Sequence, residues 1–310
     1  MSQKEPKIIY DTDLGAMHRG SVEDFLESGL GRGLRGEVQL IFTSPPFPLN
    51  RKKRYGNKLG SEYLDWLGGL AEQLGDLLTD DGSFVVELGN AWEPGEPIMS
   101  TLALEALQML LRAGNFKLCQ QFVVHNPARL PSPAQWVNVE RIRVKDSYTN
   151  VWWMSRVTRP KADNRKVLTP YSPSMKKLLK RKSYNAGRRP SEHHIGETSF
   201  LTDNGGAIPA NVFEFSNTVS TDNYRAYCKA KNLKPHPARM APDLAEFFIK
   251  FLTDKDDLVL DPFGGSNTTG AMAEDLGRRW IALEPKMEYI EGSRGRFEDG
   301  AIAKATPEPV

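Results

Sequence analysis

The chain has 310 residues, 39% hydrophobic and 26% charged, enough to bury one large core, which excludes a disordered tail or a small stapled scaffold. Only Cys119 and Cys228 occur, so neither a disulfide framework nor a cysteine-rich zinc site fits, and two buried free thiols are expected. The net charge of +2 divides into −5 over residues 1–125, +13 over 126–190, zero over 191–239 and −6 over 240–310, and the basic block calls for a polyanionic partner rather than a merely solvated surface.

In chain order, Val38–Thr43 (VQLIFT) reads as a buried strand stopped by Pro45 and Pro46. Apolar residues at helical spacing from Tyr63 to Leu78 follow, with Ser61 as the N-cap. Asp81-Gly82 reads as a turn, 83–88 as a second strand, 98–111 as a second helix and 116–124 as a third strand. From 126 to 235 the regularity fades into Pro, Ser, Arg, Lys and Asn with scattered aromatics, apart from a short apolar strand at 151–155, where Trp152 and Trp153 are expected to pack. Residues 181–206 carry little to bury and are expected to order on binding. An amphipathic helix returns at 243–252, then a strand at 257–260, a glycine-containing loop, a helix to about Leu276, and a strand Arg279–Glu284. The fold class is therefore α/β, a Rossmann-like sheet with helices on both faces plus a less regular region, divided at 1–125, 126–235 and 236–310. No window reaches the ~18 apolar residues of a membrane span and MSQKEPKIIY has no apolar signal core, so a cytoplasmic address without membrane contact is expected.

Two constellations carry chemistry. In the loop after Leu260, Gly264 and Gly265 let backbone approach a ligand, and the following amides favour an anion. Glu284, 19 residues after Gly265, closes the next strand where an acid accepts hydrogen bonds from ribose hydroxyls. The loop is not G-x-G-x-x-G and lacks a P-loop lysine, so neither NAD nor ATP is favoured; standing alone, it also fits a plain tight turn. Thr43-Ser44-Pro45-Pro46-Phe47 lies at the carboxyl end of a strand, where open α/β sheets hold their sites. Its two prolines leave a ridge of carbonyl acceptors suited to an exocyclic amino group, though a strand-ending turn with an aromatic plug reads the same residues.

Taken together, the two segments identify a family. Asp261-Pro262-Phe263-Gly264-Gly265-Ser266-Asn267-Thr268-Thr269-Gly270 resembles the S-adenosylmethionine motif of the amino-group DNA methyltransferases, and Ser44-Pro45-Pro46-Phe47 resembles their catalytic tetrapeptide, in the serine form typical of N4-cytosine enzymes. The order, catalytic motif first and cofactor motif near the C-terminus, resembles the circularly permuted β group. Residues 125–137, 141–155 and 236–240 bring the likeness nearest to the PvuII-type branch. Asn267 replaces the second glycine of the usual F-x-G-x-G; where relatives carry an acid for the cofactor's adenine, this chain reads Arg19-Gly20-Ser21-Val22-Glu23-Asp24, which leaves that role unassigned.

The resemblance implies S-adenosylmethionine as cofactor, held by Asp261, Phe263, Gly264, Gly265, Ser266, Asn267, Thr268 and Glu284. It implies methyl transfer to a cytosine flipped out of double-stranded DNA, at Ser44, Pro45, Pro46 and Phe47, in the service of restriction-modification; CAGCTG is the first site to test. Lys52, Lys53 and Arg54 are expected to clamp the backbone near the flipped nucleotide, and Arg129, Arg141, Arg143 and Lys145 to meet DNA within the 126–235 recognition region. No metal is expected, since His193-His194 has no second ligand pair at suitable spacing. The expected assembly is a monomer, with a dimer as the alternative. Rival readings are an N6-adenine methyltransferase and a catalytically silent DNA-binding regulator.

Overall fold

Burial at every position makes Val38–Thr43 (β3) the centre of the molecule. The computed structural model describes residues 5–47, 58–215 and 222–297, so Lys52, Lys53 and Arg54 lie outside the described residues. Before β3 come a hairpin of β1 (Lys7–Asp11) and β2 (Gly15–Arg19), then α1 (Val22–Glu27) and α2 (Gly29–Gly33). After it come α3 (Gly60–Leu77), β4 (Leu78–Gly89), α4 (Leu102–Ala113), β5 (Lys117–His125) and β6 (Tyr148–Ser155). Then follow α5 (Pro173–Arg181), the two-residue strands β7 (Gly187–Arg188) and β8 (His194–Ile195), and β9 (Val212–Glu214). The chain closes with α6 (Asn223–Ala230), α7 (Pro242–Leu252), β10 (Leu258–Asp261), α8 (Thr268–Asp275), β11 (Arg279–Glu284) and α9 (Met287–Ser293).

Among the described residues, nine strands form one mixed sheet in the order β1-β2-β11-β10-β3-β4-β6-β5-β9. Its centre is parallel from β2 through β11, β10 and β3 to β4, whereas β6 runs antiparallel to both β4 and β5. The period of two sorts the core: Ile41, Phe84 and Val86 face α3 and α4, while Leu40, Phe42 and Val85 face α7. Helices thus cover both faces, as the alternation predicts.

Several boundaries differ from the sequence reading. Helix α3 begins at Gly60 with Leu59 at the cap and no side-chain cap bond, so Ser61 lies inside the first turn. Asp81-Gly82 does not end a strand: Val38 pairs with Leu78 and Leu40 with Ser83, so residues 79–82 are absorbed in a bulge. Helix α4 starts at Leu102, not Ile98, which is half exposed. The N-terminal hairpin, too short in apolar residues to be read, docks by pairing β2 with β11. Trp152 and Trp153 are buried in β6 as expected, with Trp153 Nε1 donating to Ser83 Oγ at 2.9 Å. Cys228 is buried, but Cys119 is only half-buried: it packs against the core on the α7 side at the register shift between Leu118 and Gln120 in the β5–β6 pairing.

Residues 126–235 do not fold as one piece. A second compact unit comprises 163–210, and both flanks belong to the main one. Strand β6 is apolar enough to be claimed by the sheet, and β9 extends the sheet at its edge. The 163–210 unit is ordered by modest means: Ser172 caps α5 through Met175 N, β7 pairs with β8, and Tyr184 meets Phe200 edge-on at 5.3 Å. Part of the basic block is structural: Arg156 pairs with Asp76 at 2.8 Å, and Lys161 with Asp257 at 2.9 Å. Among the described residues no helix is long and apolar enough to cross a membrane.

Candidate active site

Parallel neighbours β3 and β10 end side by side, which brings together residues 218 positions apart: Thr43 Oγ1 donates to Asp261 Oδ1 at 2.6 Å. Asp261 also accepts from Thr269 Oγ1 at 2.8 Å and from the Phe263 amide at 3.1 Å. Its carboxylate is buried, and burial raises its pKa against the lowering effect of those three donors. Asp261 therefore joins the strand end carrying Ser44 to the loop carrying the glycines. Among the described residues its oxygens accept from the protein's own donors, while the residue also lines the cleft above.

Above this joint opens a concave cleft, continuous with solvent. It is lined by Ser44, Pro45, Pro46 and Phe47 from one motif and by Asp261, Phe263, Gly264, Gly265, Ser266, Thr268 and Glu284 from the other. Asn267 is not in the lining. It sits fully buried at the start of α8 in the left-handed conformation (φ 53°), where its side chain accepts from the Gly270 amide at 3.1 Å and donates to the Tyr10 hydroxyl at 3.0 Å. It thus fills the usual glycine's place by tolerating positive φ and capping the helix. Nor does Glu23 or Asp24 line the cleft; Glu23 accepts from Trp66 Nε1 at 2.7 Å.

Three wall residues were given no role by the sequence reading: His236, Lys286 and Tyr289. His236 stands edge-on to Tyr289 at 4.5 Å, and a Cβ on Gly265 (φ +51°) would meet its ring at 3.2 Å, so that glycine keeps the cleft open at this wall. Burial and nearby cations push the His236 pKa down to about 4, and Nδ1 is bonded to the Ala238 carbonyl. The same Nδ1 also lies 3.3 Å from the Ala238 amide, and Nε2 is the ring nitrogen turned toward Gly265. Elsewhere on the wall Glu284 accepts from the Lys286 amide at 2.9 Å, and burial raises its carboxyl to about 7.

A second cavity shares Ser44, Phe47, Ala238 and Met240 with the first, and continues along Glu87, Asn126, Arg129 and Thr149. The Phe47 ring is laid over Gly89, where a Cβ would meet it at 2.4 Å, so its placement requires that glycine. Thr149 Oγ1 donates to Glu87 Oε1 at 3.0 Å, and the Ser44 hydroxyl donates to the Glu87 carbonyl at 3.4 Å. Burial raises the Glu87 carboxyl above its ordinary value, opposed by Thr149, Arg129 and Ser44. Nothing in the sequence singled out Glu87: it is an acid inside an apolar strand, and only the pairing of β4 with β3 sets it beside Ser44. Arg129 lines this cavity with Nη1 on the Tyr148 carbonyl at 2.9 Å. Arg141, Arg143 and Lys145 are exposed outside it; Arg143 and Lys145 rest on the carbonyls of Pro97 and Pro127. Among the described residues no group of three or more His, Cys, Asp or Glu is placed to hold a metal ion.

A family model described as DNA methylase matches residues 38–294. The Type II methyltransferase M.PvuII of Proteus hauseri is 46% identical over 300 residues, spanning 96% of this chain and 88% of that protein. A solved PvuII DNA methyltransferase, described as cytosine-N4-specific, superposes with a TM-score of 0.76 at 39% identity, covering 96% of this chain and 91% of the other. The modification methylase TTHA0409 of Thermus thermophilus, solved with S-adenosyl-L-methionine, shares the fold at 18% identity and a TM-score of 0.51, over 90% of this chain and 93% of the other. With both motifs at one cleft and these matches across most of its length, the chain belongs to the N6/N4 DNA methylase family.

Proposed function

We propose that this DNA methylase transfers a methyl group from S-adenosylmethionine to the N4 amino group of a cytosine flipped out of duplex DNA, protecting a short site within a restriction-modification system. The observation that carries the reading is the position of the Ser44–Phe47 ridge between two cavities, one suited to a nucleoside-bearing cofactor and one to a base. The order of the segments, catalytic ridge first and cofactor loop last, fits the permuted β arrangement, with recognition assigned to 126–235.

The cofactor cavity fits its ligand by donor type. Glu284 suits ribose hydroxyls, His236 adds a polar ring to the wall, and the glycine backbone of 264–265 admits close approach. When bound, S-adenosylmethionine supplies a sulfonium methyl as electrophile. Burial disfavours the ionised Glu284, so in the free protein its contribution to stability is present at low pH and fades as pH rises through about 7. Hydroxyl donors favour the carboxylate, so cofactor binding is linked to proton release. Titration calorimetry should show affinity weakening below about pH 7, by up to ~10-fold per pH unit, and Glu284→Gln should flatten that dependence.

At the ridge between the cavities, Ser44 and the Pro45 carbonyl would accept the two amino hydrogens of the base and favour a pyramidal nitrogen with its lone pair freed for attack on an electrophile. Phe47 stacks on the base. A serine hydroxyl is a weak base, so the proton released on methylation passes toward Glu87, the carboxylate that shares the second cavity with Ser44. Replacing Ser44 by alanine should lower single-turnover transfer by ~10²-fold or more with cofactor binding nearly unchanged. Wild-type turnover in Ser44→Ala would sink the assignment.

A further inference from the structure

The loop joining β5 to β6, residues 126–147, exposes several large apolar side chains: Leu130 at 81%, Val139 at 68%, Ile142 at 47% and Val144 at 86%. Single exposed apolar residues are ordinary, but these share one loop with Arg129, Arg141, Arg143 and Lys145 against only Glu140 and Asp146. The base of the loop is fixed: the Asn126 amide donates to Ser147 O at 2.8 Å, the Asp146 amide to Ser132 O at 3.0 Å, and Asn90 Nδ2 to Asp146 Oδ1 at 2.9 Å. A turn closed by the Arg129 amide on Asn126 O at 3.1 Å brings Leu130 next in chain to Arg129, which, with Asn126 and Ala128, lines the cavity behind Ser44. The most exposed leucine among the described residues is therefore the residue that follows a half-buried arginine of the cavity wall, within a basic loop.

We propose that Leu130 is the wedge that enters the DNA stack where the target cytosine leaves it. The inference rests on the reading given under Proposed function. Pulling a base from the duplex forfeits stacking on both neighbours, and an apolar side chain inserted between them restores part of it. The cations of the loop hold phosphates of the same duplex, so an apolar tip framed by positive charge matches a stack framed by phosphates. Leu130 packs in no core, so its replacement leaves the fold intact. It is a positioning residue and touches no reacting atom.

The test uses the full chain and a duplex containing the site mapped from its own methylation products. Pyrrolocytosine at the target position reports unstacking by fluorescence without turnover. Leu130→Ala should lower the fluorescence rise on binding and slow transfer to the paired duplex by ~10-fold. The same variant should methylate at the wild-type rate a duplex whose target lies opposite an abasic site, where unstacking is already cheap. Leu130→Met should recover most of the fluorescence rise, and Val139→Ala, on the same loop away from the cavity, should match wild type in both readouts. An unchanged fluorescence rise in Leu130→Ala, or an equal loss on paired and abasic duplexes, overturns the wedge. Failure of the wild-type protein to methylate the mixed-sequence DNA from which the site is mapped would instead overturn the methyltransferase reading on which the wedge depends.

Discussion

Asp261→Ala is expected to remove measurable methyl transfer and to lower the melting temperature by roughly 5 °C or more. The carboxylate accepts from Thr43, Thr269 and the Phe263 amide, and all three donors lie in or at the edge of the core. Deleting it leaves buried donors unsatisfied, at about 1–3 kcal/mol each where water cannot enter. It also unties the ends of β3 and β10, so both the Ser44 ridge and the glycine loop lose their common anchor. Asp261→Asn separates two explanations. The amide keeps one acceptor oxygen for Thr43 and Phe263, and Thr269 can rotate its hydroxyl to accept, so the joint is largely retained. If Asp261 acts as the joint, Asn should keep activity within ~10-fold of wild type; if its charge acts on the cofactor, Asn should fail as Ala does. Cofactor affinity and melting temperature, measured together on both variants, decide between them.

Glu87→Gln is expected to lower single-turnover transfer by ~10²-fold or more, with cofactor binding and melting temperature near wild type. Glutamine preserves the size of the side chain and can still accept from Thr149, whose hydroxyl lies 3.0 Å from Glu87 Oε1. What it cannot do is take a proton. Burial holds the Glu87 carboxyl above its ordinary value, and only the ionised form accepts the proton, so wild-type transfer should fall as pH drops through that raised value. Glu87→Gln should lose this limb of the pH profile. A variant with normal transfer and an unchanged profile would remove Glu87 from the proton path and leave release to solvent.

Much of the site was legible because its parts are local. Two prolines after a buried strand, or two glycines before a helix, impose their backbone on their own neighbours, and an acid at the next strand's tip follows from the βαβ repeat. What was not legible depends on long-range pairing. Glu87 becomes a site residue because β4 lies beside β3; His236 does so because the chain before α7 returns across the glycine loop. Asn267 reads as a deviant cofactor residue in one dimension and proves to be a left-handed helix cap in three. The basic block was visible as charge, but composition could not separate Arg156 and Lys161, which pair with carboxylates of the main unit, from the exposed Arg141, Arg143 and Lys145. Strand β6 was readable as a strand from VWWMS, yet its insertion between β4 and β5 was not, since apolarity says that a strand is buried and not which neighbour it takes.

The central claim is that the ridge at Ser44 methylates the amino group of cytosine. The measurement that meets it most directly is to incubate the purified protein with mixed-sequence duplex DNA and methyl-labelled S-adenosylmethionine, digest the DNA to nucleosides, and identify the labelled product by mass. N4-methylcytosine as the sole labelled nucleoside is the predicted result. N6-methyladenine would contradict the cytosine assignment, and label that never reaches DNA would contradict the activity itself.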